Sequence, residues 1–320
     1  MALFSMVVDL KPTTIHSFGS LNMDLVCRTP HLPQPGETRL GTHFETLPGG
    51  KGANQAVAAA RLGAVVAMVG RVGEDAFGQQ LIEGLQKAGV DSSGVALDGG
   101  APTGVAAIAV DDAGRNTIVV VPGANGRVDL EDTDRLVARL HPGDSLLLQF
   151  EVPLPAVTAA ARAAKARGVT VILDPAPAQT NLPAELLQAV DILTPNQVEA
   201  SQLTGLSVVD VATATAAARQ LVQRGVAIAI VKLGNLGAVV ATADHTFHQP
   251  ALPVKAVDTV AAGDAFNGGL AVALAEGLEL GEAVQFASAV AAASVMVPGA
   301  QASMPERSRV AALRIGLKHL

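Results

Sequence analysis

From Ser145 onward, short runs of consecutive apolar residues alternate with longer Ala-rich stretches whose apolar positions recur at helical spacing. Residues 146–150 precede 155–167, 169–173 precede 183–190, and 191–193 precede 197–203. This alternation predicts β-α units and a parallel sheet. Runs that are apolar throughout, 146–148 and 227–231, fit strands covered by helices on both faces. In such sheets ligands gather at the carboxyl ends of the strands, and those ends carry Glu151, Asp174, Asn196 and Gly234. Two regions break the rhythm. Residues 23–48 and 102–117 are punctuated by Gly and Pro and show little helical period. They predict strands that pair as a small antiparallel sheet projecting from the core, a lid suited to cover a site. Residues 1–14 read as an N-terminal extension, which leaves 15–320 as one α/β domain.

Composition narrows the partners. The chain has 22 Lys+Arg against 29 Asp+Glu, a net charge of −7 with no long basic run, which argues against nucleic acid. Trp and Tyr are absent and only 8 Phe are present. No aromatic platform dominates recognition, so a small polar ligand must be read by hydrogen bonds. Cys27 is the only cysteine, which excludes an intrachain disulfide and a Cys-based zinc cluster and fits a reducing compartment, the cytoplasm. The first ten residues have no basic segment and include Asp9, and the apolar stretch 286–297 is too short to span a bilayer. No membrane partner is expected. His245 and His248 form an HxxH pair in a strand-like, turn-flanked stretch and read as surface.

The chemistry concentrates in Asp258-Thr259-Val260-Ala261-Ala262-Gly263-Asp264-Ala265-Phe266-Asn267-Gly268-Gly269. After a strand-like run at 252–257, the turn at Ala261, Ala262 and Gly263 opens a helix whose first N–H groups lack intrahelical partners, and the helix dipole adds positive charge there. A phosphoryl group would be held at such a start. Asp264 in the first turn could take the proton of a hydroxyl attacking that phosphorus; a plain dipole partner of the helix would look the same. A second Gly-rich helix start, Leu47-Pro48-Gly49-Gly50-Lys51-Gly52-Ala53-Asn54, lies before a small-residue helix at 55–61. Two anion-friendly helix starts suggest two ligands. Gly52 follows Lys51 where a P-loop needs Ser or Thr, so that class is disfavoured.

The stretch Gly49-Gly50-Lys51-Gly52-Ala53-Asn54-Gln55-Ala56 and the segment Asp258 to Asp264, with Thr194-Pro195-Asn196-Gln197-Val198-Glu199 and Lys232-Leu233-Gly234-Asn235-Leu236-Gly237 in the same order, resemble the ribokinase family of carbohydrate kinases from about His16 to Pro305. The resemblance implies a Rossmann-like, mostly parallel sheet flanked by helices, a β-sheet lid, and ATP-dependent phosphorylation of a sugar hydroxyl. Gly19-Ser20-Leu21-Asn22-Met23-Asp24 is similar to members that act on D-ribose at O5 to give D-ribose 5-phosphate. On that likeness Asn22, Asp24, Gly50, Lys51, Gly52, Ala53, Asn54, Glu151 and Asp264 contact the sugar. Asp264 is the base, and Ala261, Ala262 and Gly263 form the anion hole. Asn196, Lys232, Leu233, Gly234, Asn235, Leu236, Gly237, Gly263, Asp264 and Ser288 bind the nucleotide.

The same likeness implies Mg²⁺ arriving with ATP near Asn196 and Glu199, whose few ligands suit an ion that keeps most of its waters. It also implies a monovalent cation, K⁺, at Asp258, Val260, Ser294, Val297, Gly299 and Ser303. Here Pro298 replaces a non-proline residue common in the family, and a helix-terminating turn would have the same Gly and Pro content. Members commonly dimerise through the lid, so a homodimer is implied. A kinase for fructose, adenosine or another nucleoside remains the alternative. A non-catalytic sugar or nucleotide sensor on the same scaffold is the alternative of another class.

Overall fold

The computed structural model describes residues 13–316. Residues 1–12, most of the expected N-terminal extension, lie outside the described residues; Thr14 already opens the first strand. The chain runs through β1 (Thr14–Phe18), β2 (Asn22–Thr29), β3 (His43–Gly49), α1 (Lys51–Arg61), β4 (Val65–Gly73), α2 (Ala76–Lys87), β5 (Val90–Asp98), β6 (Gly104–Asp111) and β7 (Asn116–Val121). A 3₁₀ turn at Gly123–Arg127 follows, then α3 (Leu130–Val137), β8 (Ser145–Leu148), α4 (Leu154–Lys165), β9 (Thr170–Leu173), α5 (Ala184–Ala189), β10 (Ile192–Leu193), α6 (Gln197–Thr204) and α7 (Val211–Gln223). The last part is β11 (Ile228–Lys232), β12 (Ala238–Ala241), β13 (Thr246–Gln249), α8 (Ala262–Ala275), α9 (Leu280–Ser294) and α10 (Arg307–Gly316).

Among the described residues the large sheet has nine strands in the order β13-β12-β11-β10-β9-β8-β1-β4-β5. From β11 to β5 every pairing is parallel, and β12 and β13 close the far edge antiparallel. Its central strands are buried on both faces: Leu146, Leu147 and Leu148 of β8 are all fully buried, each stabilising the fold by about 1.5–3 kcal/mol. On one face α8 packs between α1 and α9. A Cβ on Gly268 would fall 2.6 Å from Ala58 Cβ and 2.9 Å from Gln55 O. Only glycine lets α8 approach α1 this closely, and that approach sets the first turn of α8 beside the first turn of α1.

The small sheet has the order β3-β2-β6-β7. It differs from the expected antiparallel arrangement, because β2 and β6 pair in parallel over Asn22↔Gly104 to Thr29↔Asp111. Both strands leave the large sheet in the same direction, β2 after β1 and β6 after β5, so they meet side by side and aligned. The strand-like run at 252–257 also differs: it is unpaired coil. Pro253 has no N–H to give a ladder, and the N–H groups of Val257 and Asp258 both donate to Val295 O, at 2.7 and 3.1 Å. Among the described residues no helix is long and apolar enough to cross a membrane.

Candidate active site

Ala261 stands at the start of α8 with φ 57°, in the left-handed region, a conformation that costs a non-glycine residue about 1–2 kcal/mol. The twist turns the chain abruptly into the helix. Ala265 N–H is the first to close on the helix, donating to Ala261 O at 2.9 Å, while Ala262 N–H donates to Thr259 O at 3.3 Å. The N–H groups of Gly263 and Asp264 have no intrahelical carbonyl to reach. Thr259, Ala261, Ala262, Gly263 and Asp264 line a cavity of about 820 Å³.

Asp264 is buried beneath this helix start. Its Oδ2 accepts from Asn54 Nδ2 and its Oδ1 from Gln55 Nε2, each at 3.0 Å. Gln55 is itself fixed, because its Oε1 accepts from Gln149 Nε2 at 2.8 Å. Its NH₂ also reaches Asp174 Oδ2 at 3.3 Å, and Asp174 Oδ1 accepts from Lys232 Nζ at 3.0 Å. Burial pushes the Asp264 carboxyl above the ordinary aspartate range; Lys51 opposes the shift and Asp174 adds to it. For Lys51, burial works against the charge, but Asp264, Asp174, Glu151 and Glu199 surround it and raise its pKa overall. Gln55, Gln149 and Asp174 thus belong to the candidate site; Gln55 closes the Gly-rich stretch without a role that the sequence assigns it, and Gln149 carries no sequence signal. Asp174 did carry a signal, its place at the end of β9.

Toward the small sheet, Glu151 Oε2 accepts from Ser20 Oγ at 2.5 Å, from Lys51 N–H at 3.0 Å and from Asn22 Nδ2 at 3.4 Å. By its Gly-rich sequence the start of α1 reads as a second open anion site. It differs, because the protein's own carboxylate occupies it, and Ala53 N–H donates to Ser20 O at 3.0 Å. Gly52 is buried against the backbone of Gly19 and Ser20, and Ala53 packs into the hydrophobic core. From the 50–54 stretch, therefore, Lys51 and Asn54 carry the polar side chains of the site, and Gly50 precedes the helix with φ 88°. Asp24 lies against Gly49. Burial raises its pKa to about 7, with Glu151 and Asp264 adding repulsion.

The cavity joins Lys51, Asp174 and Asp264 at one end to Asn196, Glu199, Lys232, Gly234, Asn235, Gly237 and Ser288 beyond them. Leu233 is instead part of the core and Leu236 is 41 % exposed; neither lines the cavity. Asn196 caps α6: its Oδ1 accepts from Glu199 N–H at 2.9 Å, while Glu199 accepts from Asn196 N–H and Nδ2, both at 2.7 Å. Burial, with help from Asp174, holds the Glu199 carboxyl above its usual range. Lys232 Nζ would lie 3.3 Å from a Cβ on Gly263, so its ammonium stands over the start of α8. Ser288 Oγ donates to Val284 O at 2.8 Å. Behind α8, Asp258 ties two loops together, accepting from Val260 N–H at 3.0 Å and from Gly299 N–H at 2.8 Å. The hydroxyls of Ser294 and Ser303 donate to Ala291 O and Ala300 O, each at 2.8 Å, and Val297 N–H to Ser294 O at 3.0 Å. His248 Nε2 lies 2.7 Å from Leu236 O.

A profile described as pfkB family carbohydrate kinase matches residues 12–307. A ribokinase of Haemophilus influenzae is 41% identical over 294 residues, covering 92% of this chain and 96% of that protein. A deoxyribokinase of Salmonella typhi is 39% identical over 287 residues, with 90% and 94% covered. The structure of an Arabidopsis thaliana ribokinase complexed with ribose and ATP superposes with a TM-score of 0.86 at 36% identity, covering 95% of this chain and 99% of that one.

Proposed function

The chain belongs to the pfkB family of carbohydrate kinases, and from that premise we propose that it transfers the γ-phosphoryl group of ATP to O5 of D-ribose, giving D-ribose 5-phosphate and ADP. The observation that carries this reading is the double attachment of Asp264. Its carboxylate is gripped by Asn54 and Gln55 of α1, and its own helix start lines the cavity of Lys232, Asn196 and Ser288. Sugar hydroxyl and terminal phosphate meet at that junction.

In the reaction the O5–phosphorus bond forms as the bond to the bridging oxygen of ADP breaks, and the O5 proton passes to Asp264. A carboxylate with a raised pKa suits that step. In the turn opened by Ala261 and Ala262, the N–H groups of Gly263 and Asp264, with the ammonium of Lys232, stabilise charge on the moving phosphoryl group. Asn22, Asp24, Asn54 and Glu151 take the remaining sugar hydroxyls; Asn54 Oδ1 is buried without a protein partner among the described residues and would accept one of them. With the small sheet closing as a lid, water is excluded from the transfer.

Asn196 and Glu199 offer an amide oxygen and a carboxylate beside Lys232, a donor set that fits a hydrated Mg²⁺ neutralising the phosphates. The two loops held by Asp258 fit K⁺ through backbone carbonyls, which would place positive charge behind the anion hole. In β7, Ile118, Val119, Val120 and Val121 are 47–65% exposed on an edge strand, which supports a homodimer formed through the lid. Cys27 as the sole cysteine supports the cytoplasm.

ADP release measured with D-ribose, 2-deoxyribose, fructose and adenosine, in K⁺ and in Na⁺, tests the assignment. The expected order places ribose first and K⁺ above Na⁺. Preference for fructose or adenosine would overturn the substrate, and ligand binding without any ADP would favour the sensor.

A further inference from the structure

We propose that Asn125 is a positioning residue for the sugar, fixing the amide of Asn22 and coupling that contact to the neck of the lid. The inference rests on the ribose reading above. Asn125 lies in the 3₁₀ turn after β7 and is 1% exposed; Asn22 is 3% exposed. Leu21 N–H, which can only donate, bonds to Asn125 Oδ1 at 2.9 Å. That contact orients the Asn125 amide, whose Nδ2 then donates to Leu21 O at 2.9 Å and to Asn22 Oδ1 at 2.8 Å. Asn22 is thereby left with its Nδ2 toward Glu151, 3.4 Å from Oε2. The Leu21 N–H at one end and the Glu151 carboxylate at the other therefore fix, through two amides, which group of Asn22 donates and which accepts.

The place of this cluster extends its role. β2 begins at Asn22, which pairs with Gly49 at the end of β3 and with Gly104 at the start of β6. The fourth passage between the two sheets is the end of β7, followed at once by the turn that holds Asn125. All four passages converge on Asn22. A Cβ on Gly104 would overlap both Asn125 Nδ2 and Asn22 Oδ1, so glycine there is what allows the two amides to meet. A change in lid angle has to move the group that orients Asn22.

The test is a double-mutant cycle of Asn125→Ala and Asn22→Ala, with KM for ribose and for ATP from ADP release and with thermal unfolding of each variant. Asn125→Ala is expected to raise KM for ribose about tenfold, equal to about 1.4 kcal/mol, while KM for ATP stays within about twofold and the double variant is no worse than Asn22→Ala alone. Independent multiplication of the two effects, an unchanged KM for ribose, or parallel rises in both KM values would overturn the proposal. Should Asn125→Ala not fold, Asn125→Ser, which adds no charge and is too short to bridge Leu21 and Asn22 together, must show the same ribose-selective rise. A wild-type chain that turns over no ribose refutes the reading of the substrate and this inference with it. A wild-type chain active on ribose, beside variants with unchanged KM, refutes this inference alone.

Discussion

Asp264→Asn separates the chemistry of this residue from its packing, because the surroundings can absorb an amide. Asp264 presents two acceptors to two donors, Asn54 Nδ2 and Gln55 Nε2. An amide has one acceptor and one donor. Gln55 cannot turn, since its Oε1 is held by Gln149; Asn54 can, since its Oδ1 has no partner among the described residues. The introduced carbonyl then faces Gln55, the introduced NH₂ faces a turned Asn54, and both hydrogen bonds survive. The substitution also removes a buried charge whose desolvation raises its pKa. The net change in stability is therefore expected to stay within about 1 kcal/mol. Turnover, by contrast, loses its proton acceptor and should fall by about 10²–10⁴-fold, or about 2.7–5.4 kcal/mol in the barrier. Coupled ADP release at saturating ribose and ATP gives kcat, and thermal unfolding gives the stability. Near wild-type kcat with normal unfolding would refute the base. A fall in kcat matched by collapse of the fold would refute the packing argument.

Lys232→Met takes away the ammonium that bonds directly to Asp174, whose side chain is 3% exposed, and leaves Lys51 as its nearby cation; stability should fall on the order of 3 kcal/mol, and KM for ATP should rise. Adding Asp174→Asn should recover unfolding temperature but not ATP affinity, which calorimetric unfolding and kinetics together check. Asp24 keeps its proton up to about 7, against an ordinary value of 3.8, so the folded state binds that proton more tightly than the unfolded chain. Stability of the ligand-free wild type should decline across that window as pH rises, and Asp24→Asn should abolish that component of the decline. Equal pH slopes for the two proteins in urea titrations would contradict it. Asp258→Ala frees Val260 N–H and Gly299 N–H, and it should lower kcat and erase the difference between K⁺ and Na⁺ in the same ADP assay.

Much of the candidate site was legible because its signals are local. A Gly-rich turn before a helix exposes N–H groups wherever it occurs, and Asp264 sits one turn in by sequence alone. Likewise Glu151, Asp174 and Asn196 stand out as polar residues just after apolar strands. Other features had no local trace. Gln149 lies within an apolar, strand-like run, and only its bond to Gln55, 94 residues away, gives it a task; Gln55 stands in the Gly-rich stretch, but its partner Asp264 is 209 residues away. Leu233 and Leu236 sit within a motif that touches the cavity, yet burial took one and solvent the other.

Sequence alone determined the alternation of strands and helices, the edge of the sheet where polar residues collect and the two Gly-rich helix starts, because hydrophobic period and backbone donors are properties of neighbouring residues. Tertiary structure decided that Glu151 fills the start of α1 while the start of α8 stays open. It also decided that β2 and β6 run parallel, and that Asn54, Gln55 and Asn125 point their amides as they do. An amide or carboxylate takes whichever partner long-range packing brings within reach, and that choice is not written in the residues beside it.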